Sequence, residues 1–166
     1  MSSTILTQTK AGVAGVSERF APYLLSVLRI AAGLAFLEHG TGKLLGFPAG
    51  LPFIDKMPVG LLYFTGTMEL VGGLLITIGL FTRPVAFVLS GEMAVAYFLS
   101  HAPRNFCPIL NVGELAVVYC CVFLYLAAAG GGPWSLDRVL ARRKAGQDEA
   151  ANRADEGQST PWRRAA

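Results

Sequence analysis

Residues 24–43, LLSVLRIAAGLAFLEHGTGK, form an apolar run of about the length that crosses a bilayer as a helix. On a helix, one face of this run collects two cations and two glycines: Arg29, Gly33, Phe36, Gly40 and Lys43. A guanidinium exposed to hydrocarbon costs at least about 2.5–3.5 kcal/mol on insertion scales. We therefore expect this face to turn toward the protein interior, where Arg29 should meet a carboxylate or water.

The composition is that of a membrane protein. The chain has 166 residues, of which 53% are hydrophobic and only 15% charged, whereas about 25% of the residues of a soluble domain are charged. Most of the charge lies at the two ends of the chain. Between residues 22 and 129, each long apolar run is followed by glycine, proline or a basic residue, which predicts consecutive membrane helices.

Four spans can be placed in this region, and they predict an all-α fold, an antiparallel four-helix transmembrane bundle. The first opens at Ala21-Pro22-Tyr23 and ends between residues 41 and 45, and the others cover residues 58–81, 85–100 and 109–129. The tight turn Thr82-Arg83-Pro84 forces the second and third spans to run antiparallel.

The membrane domain is predicted to cover residues 21–137. Residues 1–20 form an N-terminal segment, either loosely ordered or a short amphipathic helix, and the lack of a small-residue cleavage site after it indicates an uncleaved anchor. Residues 138–166 form a basic tail that is predicted to be disordered.

The basic residues give the orientation. With both termini in the cytoplasm, the inside holds Lys10, Arg19, Arg83 and the basic tail, while the outside holds only Lys43, Lys56 and Arg104. We therefore predict a multi-pass membrane protein with both termini cytoplasmic. The tail has no aromatic interleaving and no nucleic-acid motif, so we expect lipid headgroups and not nucleic acid as its partners.

The cysteines do not predict a disulfide or a metal site. Cys107, Cys120 and Cys121 form neither a CxxC pair nor an even disulfide framework. We interpret Cys120 and Cys121 as small packing residues within the fourth span.

The interior should contain at least one pairing between charged residues of different helices. Counting about 1.5 Å per residue along each span places Arg29 and Glu92 at matching depth, with Glu69 nearer the midplane as the competing partner. The sequence therefore predicts that one of these two glutamates pairs with Arg29. A buried ion pair that only fixes helix register is the alternative to a functional role.

A second polar group is predicted in the outer half of the membrane. It comprises Glu38, His39, Lys43, His101, Asn111 and Glu114, although Glu38 lies nearly opposite Arg29 on the helical wheel. On the fourth span, one stripe is expected to carry Asn111, Glu114, Val118, Cys121 and Tyr125. Such a group could line a hydrated cavity that transfers protons or binds a quinone headgroup, or it could consist of interfacial residues bonded to backbone and water.

Other chemistries are not supported by the motifs. Each predicted span has one glutamate, but the di-iron pattern requires Glu-x-x-His, and the adjacent Glu38 and His39 point about 100° apart. We predict no metal site. The sequence has no nucleotide loop, nucleophile elbow, HExxH or GxGxxG motif, and no internal repeat of the kind found in transporters.

Four motifs in order resemble the DoxX family of small bacterial four-helix membrane proteins. They are Arg29 with HGTGKLLGF (39–47), MELVGGLLITIGLFTRP (68–84), the glutamate at position 114, and GGGPWSLD (130–137). The resemblance implies an inner-membrane protein linked to redox chemistry, because relatives include the DoxD-type subunit of a thiosulfate:quinone oxidoreductase and members implicated in a complex with superoxide dismutase and a sulfurtransferase. It carries over these positions: Arg29, His39, Gly40, Lys43, Glu69, Gly72, Gly73, Arg83 and Glu114.

The function expected from these observations is a membrane component of a quinone- or thiol-linked redox system. His39, Lys43 and Glu114 would relay protons or bind a quinone headgroup, and soluble redox enzymes would be partners. Any electron transfer would need a bound quinone, the cysteines or a partner protein. A non-enzymatic scaffold for soluble redox enzymes and a small-molecule permease remain as alternatives, and a homo-oligomer remains open.

Overall fold

The computed structural model describes residues 2–50 and 54–158. Within these residues the chain is helical, with no strand, as the sequence predicted. The helices are α1 (Ser2–Leu45), α2 (Val59–Ile78), α3 (Thr82–Ala96), α4 (Pro108–Asn111), α5 (Glu114–Ala129) and α6 (Leu136–Gln158). A 3₁₀ turn at Ile54–Lys56 precedes α2, and a π-helical turn at Tyr97–His101 continues α3.

Two of the described helices are long and apolar enough to cross a membrane. They are the 28-residue part of α1 at Glu18–Leu45 and the 20-residue α2. Helix α5 is apolar but shorter, because the predicted fourth span is broken before it. Val112 adopts a left-handed conformation (φ 60°), and the side-chain oxygen of Asn111 accepts the backbone N–H of Gly113 at 2.7 Å, so the helix restarts at Glu114.

Helices α1 and α2 pack backbone to backbone, in antiparallel register. The facing pairs alternate a glycine from one helix with a larger residue from the other: Gly33 with Thr77, Leu37 with Gly73, Gly40 with Leu70 and Leu44 with Gly66. A Cβ built on Gly73 would lie 2.6 Å from the backbone nitrogen of Leu37, which is too close for any side chain. Small residues at helical spacing therefore set this interface, as in other membrane helix pairs.

The remaining helices close around an apolar core. Helix α3 packs mainly on α5 and more lightly on α2, and α1 touches α5 through aromatic rings. The rings of Phe36 and Phe123 meet edge to face with centroids 4.9 Å apart. The core of fully buried side chains includes Phe36, Ile76, Leu89, Phe123 and Leu126.

Both ends of the chain are more helical than the sequence predicted. Helix α1 begins at Ser2 and runs through Pro22, which was expected to open the first span. The predicted disorder of the tail is wrong for the residues up to 158, which form the exposed helix α6. This segment is rich in alanine and arginine, which are strong helix formers, and Arg153 pairs with Glu149 one turn away. Residues 159–166 of the predicted tail lie outside the described residues.

Candidate functional site: a buried lysine and two glutamates

Arg29 is fully buried, and its partners are backbone carbonyls. Nε donates to Gly131 O at 2.8 Å, and Nη2 donates to Trp134 O at 3.1 Å. Nη1 donates to the carbonyls of Ile76 and Thr77 at the end of α2, where a helix leaves its carbonyls without partners. The prediction that Arg29 pairs with Glu69 or Glu92 is therefore wrong.

Arg29 joins α2 to the loop that contains GGGPWSLD, and Asp137 completes the junction. Its two carboxylate oxygens accept the backbone N–H groups of Phe81 and Thr82, each at 2.8 Å, and so cap the start of α3. The backbone N–H of Asp137 also donates to Gly79 O at 3.0 Å. The role of Asp137 in this motif could not be predicted from the sequence, because a helix cap supplied by a residue more than fifty positions away leaves no local signal.

Replacing Asp137 with asparagine is expected to destabilise the protein by about 1–2 kcal/mol, because the amide offers one acceptor oxygen and no charge to the start of α3. Thermal unfolding in detergent measures this loss. Asp148→Asn, on the exposed part of α6, is the matched control and should unfold like the unmodified protein. Equal stability of both variants would show that the Asp137 cap contributes nothing.

The one ion pair between different helices among the described residues joins α1 to α2. Lys43 Nζ lies 2.7 Å from Glu69 Oε1 and also donates to Thr65 Oγ1 at 3.1 Å. The side chains of Lys43 and Glu69 are only 16% and 6% exposed, so this pair is largely withdrawn from its surroundings. The second oxygen of Glu69 is buried and has no hydrogen-bond partner.

Glu92 lies at the level of this pair on the neighbouring helix. Gly72 of α2 packs on Leu89 of α3, and in an antiparallel pair one turn further along each helix brings Glu69 and Glu92 to the same height. Both carboxylate oxygens of Glu92 are buried without a hydrogen-bond partner, and Glu92 interacts electrostatically with Glu69 and Lys43. Lys43, Glu69 and Glu92 are called the carboxylate cluster below.

An apolar groove between α2 and α3 lies beside the carboxylate cluster. Its volume is about 410 Å³, and its walls include Met68, Gly72, Val88 and Leu89. Met68 neighbours Glu69 in sequence, and Leu89 is one turn from Glu92. The groove therefore lies within about one turn of both glutamates, although neither glutamate is part of its lining.

His39 and Tyr119 lie on the other side of the cluster. His39 is partly buried, interacts electrostatically with Glu69, and faces the ring of Tyr119 with centroids 6.3 Å apart. Tyr119 is itself stacked on Phe123 with centroids 5.6 Å apart. Of the residues predicted for the outer group, His39 is therefore the one that accompanies Lys43, and Tyr119 was not foreseen.

His101 and Asn111 belong to a separate turn at the end of α3. The Asn111 side chain donates to Asn105 O at 2.5 Å and lies 3.5 Å from the hydroxyl of Tyr97. His101 Nδ1 lies 3.1 Å from Asn111 O, and its ring is stacked on that of Tyr97. These bonds close the connection between α3 and α4. They explain the positions of His101 and Asn111 as structural, with no need for a bound ligand.

The predicted stripe of the fourth span is divided by the break before α5. Helix α5 buries Ala116, Tyr119, Phe123 and Leu126. Asn111 is buried, whereas the other four residues of the predicted stripe are exposed: Glu114, Val118, Cys121 and Tyr125. The break at Val112 rotates α5 relative to Asn111, so a wheel drawn continuously from Asn111 assigns the wrong face. Glu38, also predicted for the outer group, is exposed.

The other predicted positions have structural places. Gly33, Gly40 and Gly73 form the α1–α2 interface, and Gly72 receives Leu89. Arg83, at the α2–α3 turn, is exposed, and its guanidinium lies over Gly130 at the end of α5. In the described part of the chain, no group of three or more histidine, cysteine, aspartate or glutamate side chains could hold a metal ion.

The fold and the carboxylate cluster define a class: a helical membrane protein with ionisable side chains buried between its helices. A family model described as DoxX matches residues 24–102. An uncharacterized protein of Haemophilus influenzae is 44% identical over 131 residues, which cover 76% of this chain and 97% of the relative. The chain belongs to the DoxX family, as its motifs predicted.

Two further relatives bear on location and chemistry. The inner membrane protein YqjF of Escherichia coli is 31% identical over 121 residues, covering 70% of this chain and 92% of the relative. A Bacillus subtilis protein named "Putative oxidoreductase CatD" is 25% identical over 120 residues, covering 71% of this chain and 87% of the relative. No solved structure matches. The predicted location is confirmed: this is a multi-pass inner-membrane protein.

Proposed function

We propose that this protein is an antiparallel four-helix transmembrane bundle with both termini cytoplasmic, and that it serves a quinone-linked redox system through its carboxylate cluster. The four spans would be α1, α2, α3 with its π turn, and α5 with α4. Successive contacts run in opposite directions: α1 on α2, α2 on α3, and α3 on α5. Residues 82–101, read at about 1.5 Å per residue, reach roughly 30 Å, the thickness of the hydrocarbon core.

The observation that carries the proposal is the set of buried carboxylate oxygens without partners. The cluster has two carboxylates and one ammonium, of which only Glu69 contacts Lys43, so the fully ionised cluster carries one uncompensated negative charge in a surrounding of low dielectric. A buried charge of this kind is strongly unfavourable unless a proton, another cation or a hydrogen-bonding ligand meets it. The cluster is therefore suited to bind and release protons.

A quinone headgroup suits the polarity of the carboxylate cluster, and the apolar groove beside the cluster would give a route to it from the membrane. Its carbonyl oxygens accept hydrogen bonds from an ammonium or a protonated carboxyl, and the hydroxyls of the reduced form donate to carboxylate oxygens. Reduction of a quinone takes up two protons with two electrons, and the cluster would supply the protons while a partner redox protein supplies the electrons. The apolar groove between α2 and α3 would hold the hydrophobic part of the molecule. The oxidoreductase name of the Bacillus subtilis relative agrees with this role.

The test is quinone retention by the full chain. The protein is purified in mild detergent after incubation with a ubiquinone-type quinone, and bound quinone is extracted and quantified. Glu92→Gln and Lys43→Met are each expected to lower retention by about tenfold, equivalent to about 1.4 kcal/mol, or one charge-assisted hydrogen bond. Glu18→Gln, an exposed glutamate on α1, should retain as much quinone as the unmodified protein.

The competing location can be excluded in the same experiment. Glu114→Gln removes the carboxylate that the sequence placed at the site and the structure leaves exposed. If Glu114→Gln loses quinone while Glu92→Gln keeps it, the site lies at the outer end of α5 and the proposal is wrong. If no variant changes retention, the carboxylate cluster does not bind quinone.

A further inference from the structure

A second cavity lies at the opposite end of the helices, next to the loop that Arg29 holds. It is an open cleft of about 520 Å³ between α1, the end of α5 and the start of α6. Its walls combine apolar side chains with two cations: Pro22, Leu25, Tyr125, Arg83 and Arg138. It is separate from the carboxylate cluster, and neither the family match nor the relatives assign it a ligand.

The charge balance of this cleft favours an anion. Arg83 and Arg138 are both exposed, and no ion pair is found for either guanidinium among the described residues. The lining includes the carboxylate of Asp137, but both of its oxygens already accept the backbone N–H groups at the start of α3. The two guanidinium groups are therefore the cleft's available charged groups, and each can present a fork of donors to a phosphate.

The surroundings of the cleft resemble the headgroup level of a membrane. Trp134 is 56% exposed, and its ring lies against that of Tyr23 with centroids 5.8 Å apart. Aromatic residues of this kind concentrate where the membrane meets water. The first turns of α6 expose Val139 and Leu140 beside Arg138, an apolar and basic combination that suits the surface of an anionic bilayer.

We propose that this cleft binds the phosphate group of an anionic phospholipid from the leaflet at this end of the protein. Arg83 and Arg138 would donate to the phosphate oxygens, and an acyl chain would leave over Leu25 and Tyr125 toward the membrane. The lipid would tie the start of α6 to the α2–α3 turn, since one arginine comes from each. This site is independent of the proposed quinone-linked function.

The experiment measures lipid selectivity. The full chain is reconstituted in nanodiscs of equal parts phosphatidylglycerol and phosphatidylcholine, released into detergent, and examined by native mass spectrometry for retained lipid. The unmodified protein should retain phosphatidylglycerol in preference. Arg83→Gln combined with Arg138→Gln should reduce that preference on the order of tenfold. Arg143→Gln, on α6 but outside the lining of the cleft, should leave it unchanged.

Two controls make the result decisive. Because both arginines are exposed, the double variant should unfold at the same temperature as the unmodified protein, and a lost preference in a stable protein supports the site. An equal loss in Arg143→Gln would show a general effect of charge and overturn it. Inorganic phosphate added at millimolar concentration should not displace the lipid; if it binds equally well without lipid present, a free phosphate and not a lipid is the ligand, and the proposal fails.

Discussion

Arg29→Met is expected to lower the free energy of unfolding by about 4 kcal/mol, because the carbonyls of Thr77, Gly131 and Trp134 lose their donor and an unsatisfied buried polar group costs about 1–3 kcal/mol. The fourth carbonyl, Ile76 O, keeps the backbone N–H of Gly79 as a donor. Removing a buried guanidinium also removes its desolvation cost, which offsets part of the loss. Unfolding in detergent, followed by helical circular dichroism, measures the difference.

The pH dependence of this loss distinguishes carbonyl partners from a carboxylate partner. Carbonyls do not titrate, so Arg29→Met should destabilise the protein equally at mildly acidic and mildly alkaline pH. Arg83→Met, an exposed arginine at the same end, is the matched control and should cost little. A loss that vanishes at acidic pH would mean that Arg29 is paired with a carboxylate after all.

Gly40→Ala is expected to cost about 3 kcal/mol, in the upper range for overpacking of a close interface. The added Cβ would overlap the backbone nitrogen of Leu70, which cannot move without separating α1 from α2. This separation should also lengthen the contact between Lys43 and Glu69, since both lie within a turn of the clash. Thermal unfolding in detergent provides the measurement.

Gly91→Ala is the control for Gly40→Ala, because it makes the same chemical change on a helix with open space around the new Cβ. It should be neutral or stabilising by up to about 1 kcal/mol, the difference in helix propensity between the two residues. If Gly40→Ala is as stable as Gly91→Ala, the two helices are not packed as closely as described.

The sequence could predict which side chains of α1 turn inward but not what they meet. The cost of exposing Arg29 to lipid predicts its burial, and the structure agrees. Its partners are carbonyls at the end of α2 and in a distant loop, which carry no residue-type signal because every residue has a carbonyl. Side-chain charge alone therefore predicted a pairing of Arg29 with Glu69 or Glu92 that the structure does not contain.

The members of the carboxylate cluster were predicted to belong to two different polar groups. Lys43 and His39 were assigned to one polar group, and Glu69 and Glu92 to another. Whether they meet depends on the register between helices, which the contacts of Gly40 with Leu70 and Gly72 with Leu89 set. Counting residues from predicted helix ends carries an error of a turn or more, and one turn is enough to match Glu69 and Glu92 with Arg29 when Glu69 pairs with Lys43.

Helix α5 shows the same limit in another form. The stripe on the fourth span was predicted from a continuous pattern beginning at Asn111. The side chain of Asn111, however, accepts the backbone N–H of Gly113, and α4 ends there. Asparagine is known to compete for backbone groups in this way, so the sequence did contain a signal for the break. With the break recognised, Glu114 would not have been aligned with Asn111.

The central claim is that Glu92 and its neighbours bind a ligand and exchange protons inside the membrane. Infrared difference spectroscopy of the full chain in liposomes, recorded on addition of a short-chain quinone, observes the carboxyl groups directly. We predict a perturbed carboxyl band that is lost in Glu92→Gln and kept in Glu18→Gln. A difference spectrum that is the same in Glu92→Gln as in the unmodified protein would contradict the claim.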